Sequence, residues 1–505
     1  MNTRRDFLVK CGAGMGALIT SNLWLDKVFA GVTTGKDIHS DKFFGISKEE
    51  MQKLLGIALS KGGDFSELFF EYRISTSVTM SEDIIKSSSE NIGMGVGVRV
   101  INGEQTGYGF TNEINFEKIR DTALTAAAIA SGQGKVNIAN LNVEVPSVVA
   151  YNMNNPLYDK AIDYKINLIK DAYKSAQNYD RRIVMIDSSF ADEVQYVTIA
   201  NSEGLLISDV RPQARLMVVA TAQEKGNKTT AFANAGGRVG ADFYTPGDTP
   251  EKVGKKAAEE AIILLGADSA KPGEQTVVLG SNQSGVMIHE AVGHPLEADG
   301  AWKKSSIMWD KVGQEVANPI VTIYDDATIP DFRGSLNIDD EGTQTEKVVL
   351  IEKGKLLRFM NDRLAAKIMK TEPNGHGRRQ SYRNPPIPRM NNTVLLRGEH
   401  DPQEIIESVK SGFYALTYEG GMVSNTGKFT FSVNFGYLIE NGKLTKPLRN
   451  ATLIGQNTDI LKNVDMVGND MGFFLGTCGK DGQSVPVTAG TATLRIKKMT
   501  VGGKA

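Results

Sequence analysis

Apolar positions recur at helical spacing over residues 46–59. Ile46 precedes Ser47-Lys48-Glu49-Glu50, and Met51, Leu54, Leu55, Ala58 and Leu59 follow. A serine three residues ahead of a glutamate forms a capping box, and Ile46 with Met51 can close a hydrophobic staple over it. The pattern predicts a helix that starts here and stops at Gly62-Gly63. The period then shortens. Phe65 to Met80 reads as a strand, and so does the stretch from Met94 to Ile101, which turns at the hairpin dipeptide Asn102-Gly103. An alanine-rich helix is predicted over about 115–131. The same alternation then returns, with a helix near 158–177 and strands at 182–189, 193–200, 205–210 and 214–222. Asn201-Ser202-Glu203-Gly204 is a turn between two of them. Thr249-Pro250-Glu251 opens a further helix with a cap, a proline at the first position and an early acid, and Gly266 closes it.

Helices alternate here with hairpins and not with single crossover strands, so the pattern predicts an α+β fold on antiparallel sheet. Small polar residues from Ala267 to Glu274 mark a domain boundary. We read residues 31–45 as a polar linker, 46–268 as an N-terminal α/β domain and 269–505 as a β-rich C-terminal domain. The second half opens with a strand, Gln275 to Leu279, that passes directly into a helix. Strands are expected near 319–325 and 346–352 and a helix near 361–370. A loop dense in Arg, Asn, Gly and Pro then runs from Asn374 to Thr393. Asp401-Pro402-Gln403-Glu404 caps another helix, and a strand-rich tail with an Asn441-Gly442 hairpin ends the chain.

At 505 residues the chain has room for two or three domains with ample core. It is 41% hydrophobic and 23% charged, with net charge -2, so nothing in the balance points to nucleic acid or an anionic membrane surface. The body holds no 18-residue apolar run, and no membrane span is expected there. The N-terminus differs in kind. Arg4-Arg5 followed by Phe7-Leu8, an apolar stretch from Cys11 to Trp24, and Val28-Phe29-Ala30 before Gly31 match a twin-arginine export signal. The expected destination is the periplasm. Removing residues 1–30 takes away Arg4, Arg5, Lys10 and Lys27 against Asp6 and Asp26, which moves the net charge from -2 to -4. It also leaves Cys478 as the one cysteine, so no intramolecular disulfide can form. A lone thiol in an oxidising compartment is either buried and inert or tied to a metal.

The candidate chemistry lies in Ile288-His289-Glu290-Ala291-Val292-Gly293-His294-Pro295. Two of the chain's five histidines stand here, with a glutamate directly after the first. Two imidazoles can hold a zinc, and a carboxylate can take the proton from zinc-bound water. The common spacing puts the ligands at i and i+4. Here they are i and i+5, which on a regular helix lie roughly 140° apart. Both reach one metal if the helix loosens into a π-type turn or ends there. Gly293 lowers the cost of irregular backbone, and Pro295 should end the helix near His294. Glu297 and Asp299 are candidate third ligands or partners that orient the imidazoles. Arg378 and Arg379 could hold a peptide carboxylate or polarise a carbonyl, with Tyr382 as a hydrogen-bond donor to the oxyanion. The plainer alternative is that they pin their loop. His376 reads as structural, and His39 and His400 carry no signal.

From about residue 45 onward the chain resembles the TldD/PmbA family of zinc metallopeptidases, on the TldD side. The resemblance rests on His289-Glu290-Ala291-Val292-Gly293-His294, the Gly377-Arg378-Arg379-Gln380-Ser381-Tyr382 to Pro388-Arg389-Met390 loop, Gly420-Gly421 and Val467-Gly468-Asn469-Asp470. Cys478-Gly479-Lys480-Asp481-Gly482-Gln483 and Thr500-Val501-Gly502-Gly503 complete it. It implies a β-rich catalytic domain binding one Zn2+ per chain through His289, His294 and Cys478, with Glu290 as general base. It implies peptides or unfolded segments as substrates, and a homodimer or a heterodimer with a PmbA/TldE-like subunit. Pro295 and the export signal depart from the family pattern. The competing class is a non-catalytic peptide-binding or assembly subunit, which has no physical reason to keep all four residues.

Overall fold

A computed structural model describes residues 44–503 apart from 133, 135, 246, 247 and 425. The twin-arginine segment, His39 and nearly all of the predicted linker lie outside the described residues. The fold is mixed α/β. Contacts divide it into two compact units. One takes the described residues through Phe70 with Gly95–Val145 and Val197–Asp209, and the other takes Glu71–Met94, Pro146–Tyr196 and the residues from Val210 onward.

In the first unit the helix Lys48–Ala58 begins as its sequence requires. Glu50 N–H donates to Ser47 Oγ at 3.2 Å, and Ser47 N–H donates to Glu50 Oε2 at 2.9 Å. Leu54 and Leu55 on its inner face are fully buried, as are Ile119 and Ala123 of the helix Phe116–Ile129. The buried Arg99 is neutralised by Glu67 at 2.9 Å and stacks over Phe65.

In the second unit the helices Ile162–Gln177 and Thr249–Leu265 share one apolar core with Leu216 and Val218 of the strand Leu205–Glu224. A methyl group at Gly254 would run into the carbonyl of Ala172, so glycine sets how closely the two helices approach. From residue 268 the unit is built on two large sheets. One has the order Val464–Val467, Leu494–Gly503, Gly273–Leu279, Ser411–Val423, Lys428–Glu440, Lys443–Gln456 and Asp268–Ser269. The other has the order Lys355–Leu356, Lys347–Glu352, Ile323–Asp326, Asn392–Leu395, Gln483–Thr491 and Gly472–Lys480. Val277, Leu279, Phe413 and Phe431 of the first sheet and Ile323, Val348, Val485 and Val487 of the second belong to one core.

The N-terminal sheet is not wholly antiparallel, as the local pattern there would have it: Asn142–Glu144 pairs parallel with the start of Leu205–Glu224, and the C-terminal sheets also hold parallel pairs. Gly273–Leu279 pairs parallel with Ser411–Val423, and Asn392–Leu395 pairs parallel with Gln483–Thr491. Parallel neighbours need a long connection between them, so they leave no local hairpin signal. Among the described residues no helix is long and apolar enough to cross a membrane.

Candidate metal centre

The strand Gly273–Leu279 lies inside its sheet, flanked by Ser411–Val423 and Leu494–Gly503. It delivers the chain into the core as a short helix, Gly285–Ile288. A side chain at Gly285 would strike the carbonyl of Ala489, so this helix lies directly on the strand Gln483–Thr491. Residues His289–Gly293 then form a π turn, in which His294 N–H donates to the His289 carbonyl. That i to i+5 bond closes one wider turn and brings the two imidazoles to one side, with ring centroids 5.0 Å apart. Asn457 Nδ2 donates to the Ala291 carbonyl inside the turn at 3.1 Å. A tight 3-10 turn, His294–Leu296, follows, and the backbone is extended at Glu297. Pro295 therefore ends the helix as its chemistry dictates. Gly293 has ordinary right-handed dihedrals, and its role is spatial: any side chain there would overlap Met390 Sδ.

Cys478 reaches the same point from the strand Gly472–Lys480, which turns at Asp481-Gly482 and pairs back along Gln483–Thr491. Both turn residues have positive φ, the geometry of a two-residue hairpin that Gly and Asp tolerate. Cys478 Sγ lies 3.4 Å from His294 Nε2. One donor atom from each of His289, His294 and Cys478 falls within 4.8 Å of the other two. The 3.4 Å between Cys478 Sγ and His294 Nε2 suits two ligands of one tetrahedral ion bonded at about 2.0–2.3 Å, with His289 close enough to supply a third. The donors' surroundings fit such an ion. His289 Nδ1 is buried without a hydrogen-bond partner. The thiol is held low: burial pushes it up, but the charges and hydrogen bonds of His289 and His294 outweigh this and bring it down to about 4. A thiolate beside two imidazoles is the donor set zinc selects.

Around this trio runs a chain of charged groups that the sequence only partly announces. His294 Nδ1 is 2.9 Å from Glu297 Oε2, so Glu297 serves as the imidazole's hydrogen-bond partner and fixes the ring with Nε2 toward Cys478. Glu297 is wholly buried. Burial pushes its carboxyl up, but Lys480 and His294 overcome this and hold it down to about 2. Lys480 Nζ stands 3.1 Å from Glu297 Oε2 and 2.5 Å from Asp299 Oδ1. Asp299 is thus tied to Lys480 and is not among the clustered donors. Arg389, fully buried, donates to the Cys478 carbonyl at 2.6 Å and to the Gln483 carbonyl at 3.3 Å, which pins the hairpin that carries the thiol. Glu290 Oε2 is 3.9 Å from His294 Nε2. Burial raises its carboxyl above the usual range, with the two histidines opposing.

The trio and Glu290 line a cavity of about 730 Å³. Val286, Phe474 and Val487 give it apolar surface, Lys480 gives it charge, and Gly420 to Ser424 form part of its rim. Arg378, Arg379 and Tyr382 do not line it. Arg378 donates to the carbonyls of Met390 and Pro486, and Arg379 N–H and guanidinium both bond to Asp340. Tyr382 N–H donates to Glu71 at 2.6 Å. The two arginines border a second cavity of about 60 Å³. His376 is buried between Asn374 and Asp325, as a structural histidine would be, and His400 lies at the surface beside Glu404.

A mixed α/β fold with two histidines, a thiolate and a glutamate in one cavity defines the class of a metal-dependent hydrolase. Comparison with known proteins narrows this. Residues 66–130, 155–265 and 272–503 match the models of domain 1, the central domain and the C-terminal domain of the PmbA/TldA metallopeptidases. A metalloprotease TldD homolog of Haemophilus influenzae is 38% identical over 467 residues, covering 91% of this chain and 97% of that protein. A zinc metalloprotease TldD homolog of Saccharolobus solfataricus is 29% identical over 90% of this chain and all of its own length. In fold the chain is similar to TldE from Thermococcus kodakarensis, with a TM-score of 0.72 and 18% identity over 90% of this chain and all of the other. The chain belongs to the PmbA/TldD metallopeptidase family.

Proposed function

We propose that this protein is a zinc-dependent peptidase in which His289, His294 and Cys478 hold the metal and Glu290 is the general base. The observation that carries this reading is the convergence of the three donors within 4.8 Å beside Glu290 in one cavity. When bound, the zinc supplies a Lewis acid that polarises water and the scissile carbonyl. Glu290 takes the proton from the attacking water at its carboxylate and returns it to the leaving amine. A carboxyl raised by burial is better matched to that exchange near neutral pH than a solvated one. Glu297 keeps His294 oriented, and Lys480 and Arg389 keep Glu297 charged and the Cys478 hairpin in place.

The substrate is an extended peptide or unfolded segment. Beyond Ala415, the edge of Ser411–Val423 that faces away from Lys428–Glu440 has no strand partner among the described residues, and its end lines the cavity. A peptide backbone can add to that edge as a strand. We further propose that residues 1–30 direct export of the folded chain to the periplasm, and that the protein associates with a second copy or a TldE-like subunit.

The test is Glu290→Gln assayed for peptide cleavage beside wild type, with metal content measured on both. Cleavage should fall by about 10²–10⁴-fold with metal retained. Undiminished cleavage contradicts the assignment of the base.

A further inference from the structure

The second cavity is small and densely charged. Its volume of about 60 Å³ equals that of about two waters in the liquid, enough for one tetrahedral oxyanion and too little for a nucleotide. Segments far apart in the sequence meet there. The strand Phe65–Ser81 brings Arg73, Ile183–Asn201 brings Glu193, Leu205–Glu224 brings Arg211, and the loop after Asn374 brings Arg378 and Arg379. Arg211, Arg238, Arg378 and Arg379 are all at most 4% exposed. Gln380 and Ser484, both exposed, give the cavity its opening to solvent. Among the described residues none lines both this cavity and the one that holds the histidines and the thiol.

The charges on its wall do not balance. Five guanidinium groups, those of Arg73, Arg211, Arg238, Arg378 and Arg379, line it against two carboxylates, Glu193 and Asp340. Glu71, bonded to Arg73 at 2.6 Å, offsets one charge more. Asp340 is shared: Arg211 pairs with it, and Arg379 N–H donates to its carboxylate at 2.7 Å. Arg378 donates to the carbonyls of Met390 and Pro486. A carbonyl satisfies a donor without cancelling its charge, and a buried charge left uncancelled is costly. The crowding registers on Arg378. Burial brings its guanidinium down to about 9, Asp340 opposes this, and the charges of Arg238 and Arg389 add to it. Arg73 Nε, in addition, is buried without a hydrogen-bond partner.

We propose that this cavity binds one free tetrahedral oxyanion of phosphate size, carrying two charges. Guanidinium groups present paired donors to such oxygens, and a dianion offsets the excess that a singly charged, planar carboxylate leaves. The bound ion bridges the loop of Arg378 and Arg379 to Ser484, Val485 and Pro486. Val485 and Pro486 pair with Cys478 and Thr477 across the hairpin. The ion therefore braces the hairpin that carries the thiol, from outside the metal centre. The site stands on its own and does not rest on the peptidase reading.

The experiment is isothermal titration calorimetry of the mature protein with inorganic phosphate, at constant ionic strength and mildly alkaline pH, where phosphate is a dianion. One ion should bind per chain, and acetate under the same conditions should bind at least about tenfold more weakly. Arg73→Gln removes one guanidinium, and Ser484→Glu sets a carboxylate at the exposed mouth, where the fold tolerates it. Each should weaken binding by about tenfold or more. Stripping the metal with a chelator should leave the affinity unchanged. The proposal is overturned by a wild type that takes up no phosphate, or by wild-type affinity in both variants. Binding that vanishes with the metal also overturns it, because the ion then sits on the metal. Acetate binding as tightly as phosphate, or glycerol phosphate binding more tightly, contradicts a site built for the free dianion.

Discussion

His294 shows how much one residue's surroundings decide. Its Nε2 faces Cys478, and its Nδ1 is held by a carboxylate that is itself held by a lysine. Replacing Glu297 with Gln removes the charge while keeping the shape. Metal affinity, measured by competition with a chelating dye, should fall by about 10–100-fold with the fold intact. Unchanged affinity would mean that Glu297 is only packing. The histidines and Glu290 were legible because a short pattern carries them. Cys478, 184 residues from His294, was legible only through family resemblance, because a lone cysteine has no periodicity. Lys480 and Arg389 could not be assigned roles from sequence, because a buried charged residue looks there like a solvated one.

At the scale of elements, the π turn between His289 and Gly293 depends on a close approach to Met390. Gly293→Ala should cost about 1–3 kcal/mol in denaturant unfolding, as overpacking does, and G293A/M390A should recover part of it. If the single variant is as stable as wild type, the contact does not set the turn. The spacing of two histidines foretold an irregular turn, because no regular helix satisfies i and i+5. Strand lengths were less legible. Residues 182–189 and 193–200 read as two strands but form one, Ile183–Asn201. Asp192 looks like a turn residue, yet it is buried against Lys165 at 2.7 Å. Likewise Arg211-Pro212 reads as an interruption, whereas the strand Leu205–Glu224 runs through it. Arg211 is buried there on Asp340, and Pro212 gives its carbonyl to Arg238. The outer part of the strand Ile84–Asn102, from Ile84 to Gly93, was missed because its polar run carries no alternation of apolar residues.

At the scale of the molecule, the alternation of helices and hairpins was enough to expect helices combined with sheet. The parallel pairings join strands far apart in the sequence, such as Gly273–Leu279 with Ser411–Val423, and nothing local encodes them. Buried ion pairs make the stability of this assembly depend on pH. Burial pushes Asp340 up, but Arg211 and Arg379 reverse this and hold it below the ordinary carboxylate range. A depressed folded-state pKa contributes stability that is fully present above the unfolded value of about 3.9 and is lost as the pH falls through the folded one. Unfolding free energy measured by denaturant between pH 6 and pH 3 should therefore decline at the acid end. Asp340→Asn should start about 3–5 kcal/mol lower, because two buried guanidinium groups lose their countercharge, and should show a shallower acid limb. An unaltered limb would remove Asp340 from that account.

The central claim is that two histidines and a distant thiolate form one metal centre. Metal content of the purified mature protein by mass spectrometry, wild type beside Cys478→Ala, tests it most directly. The account predicts about one zinc per wild-type chain and its loss in the variant. A metal-free wild type, or zinc fully retained without the thiol, would contradict it.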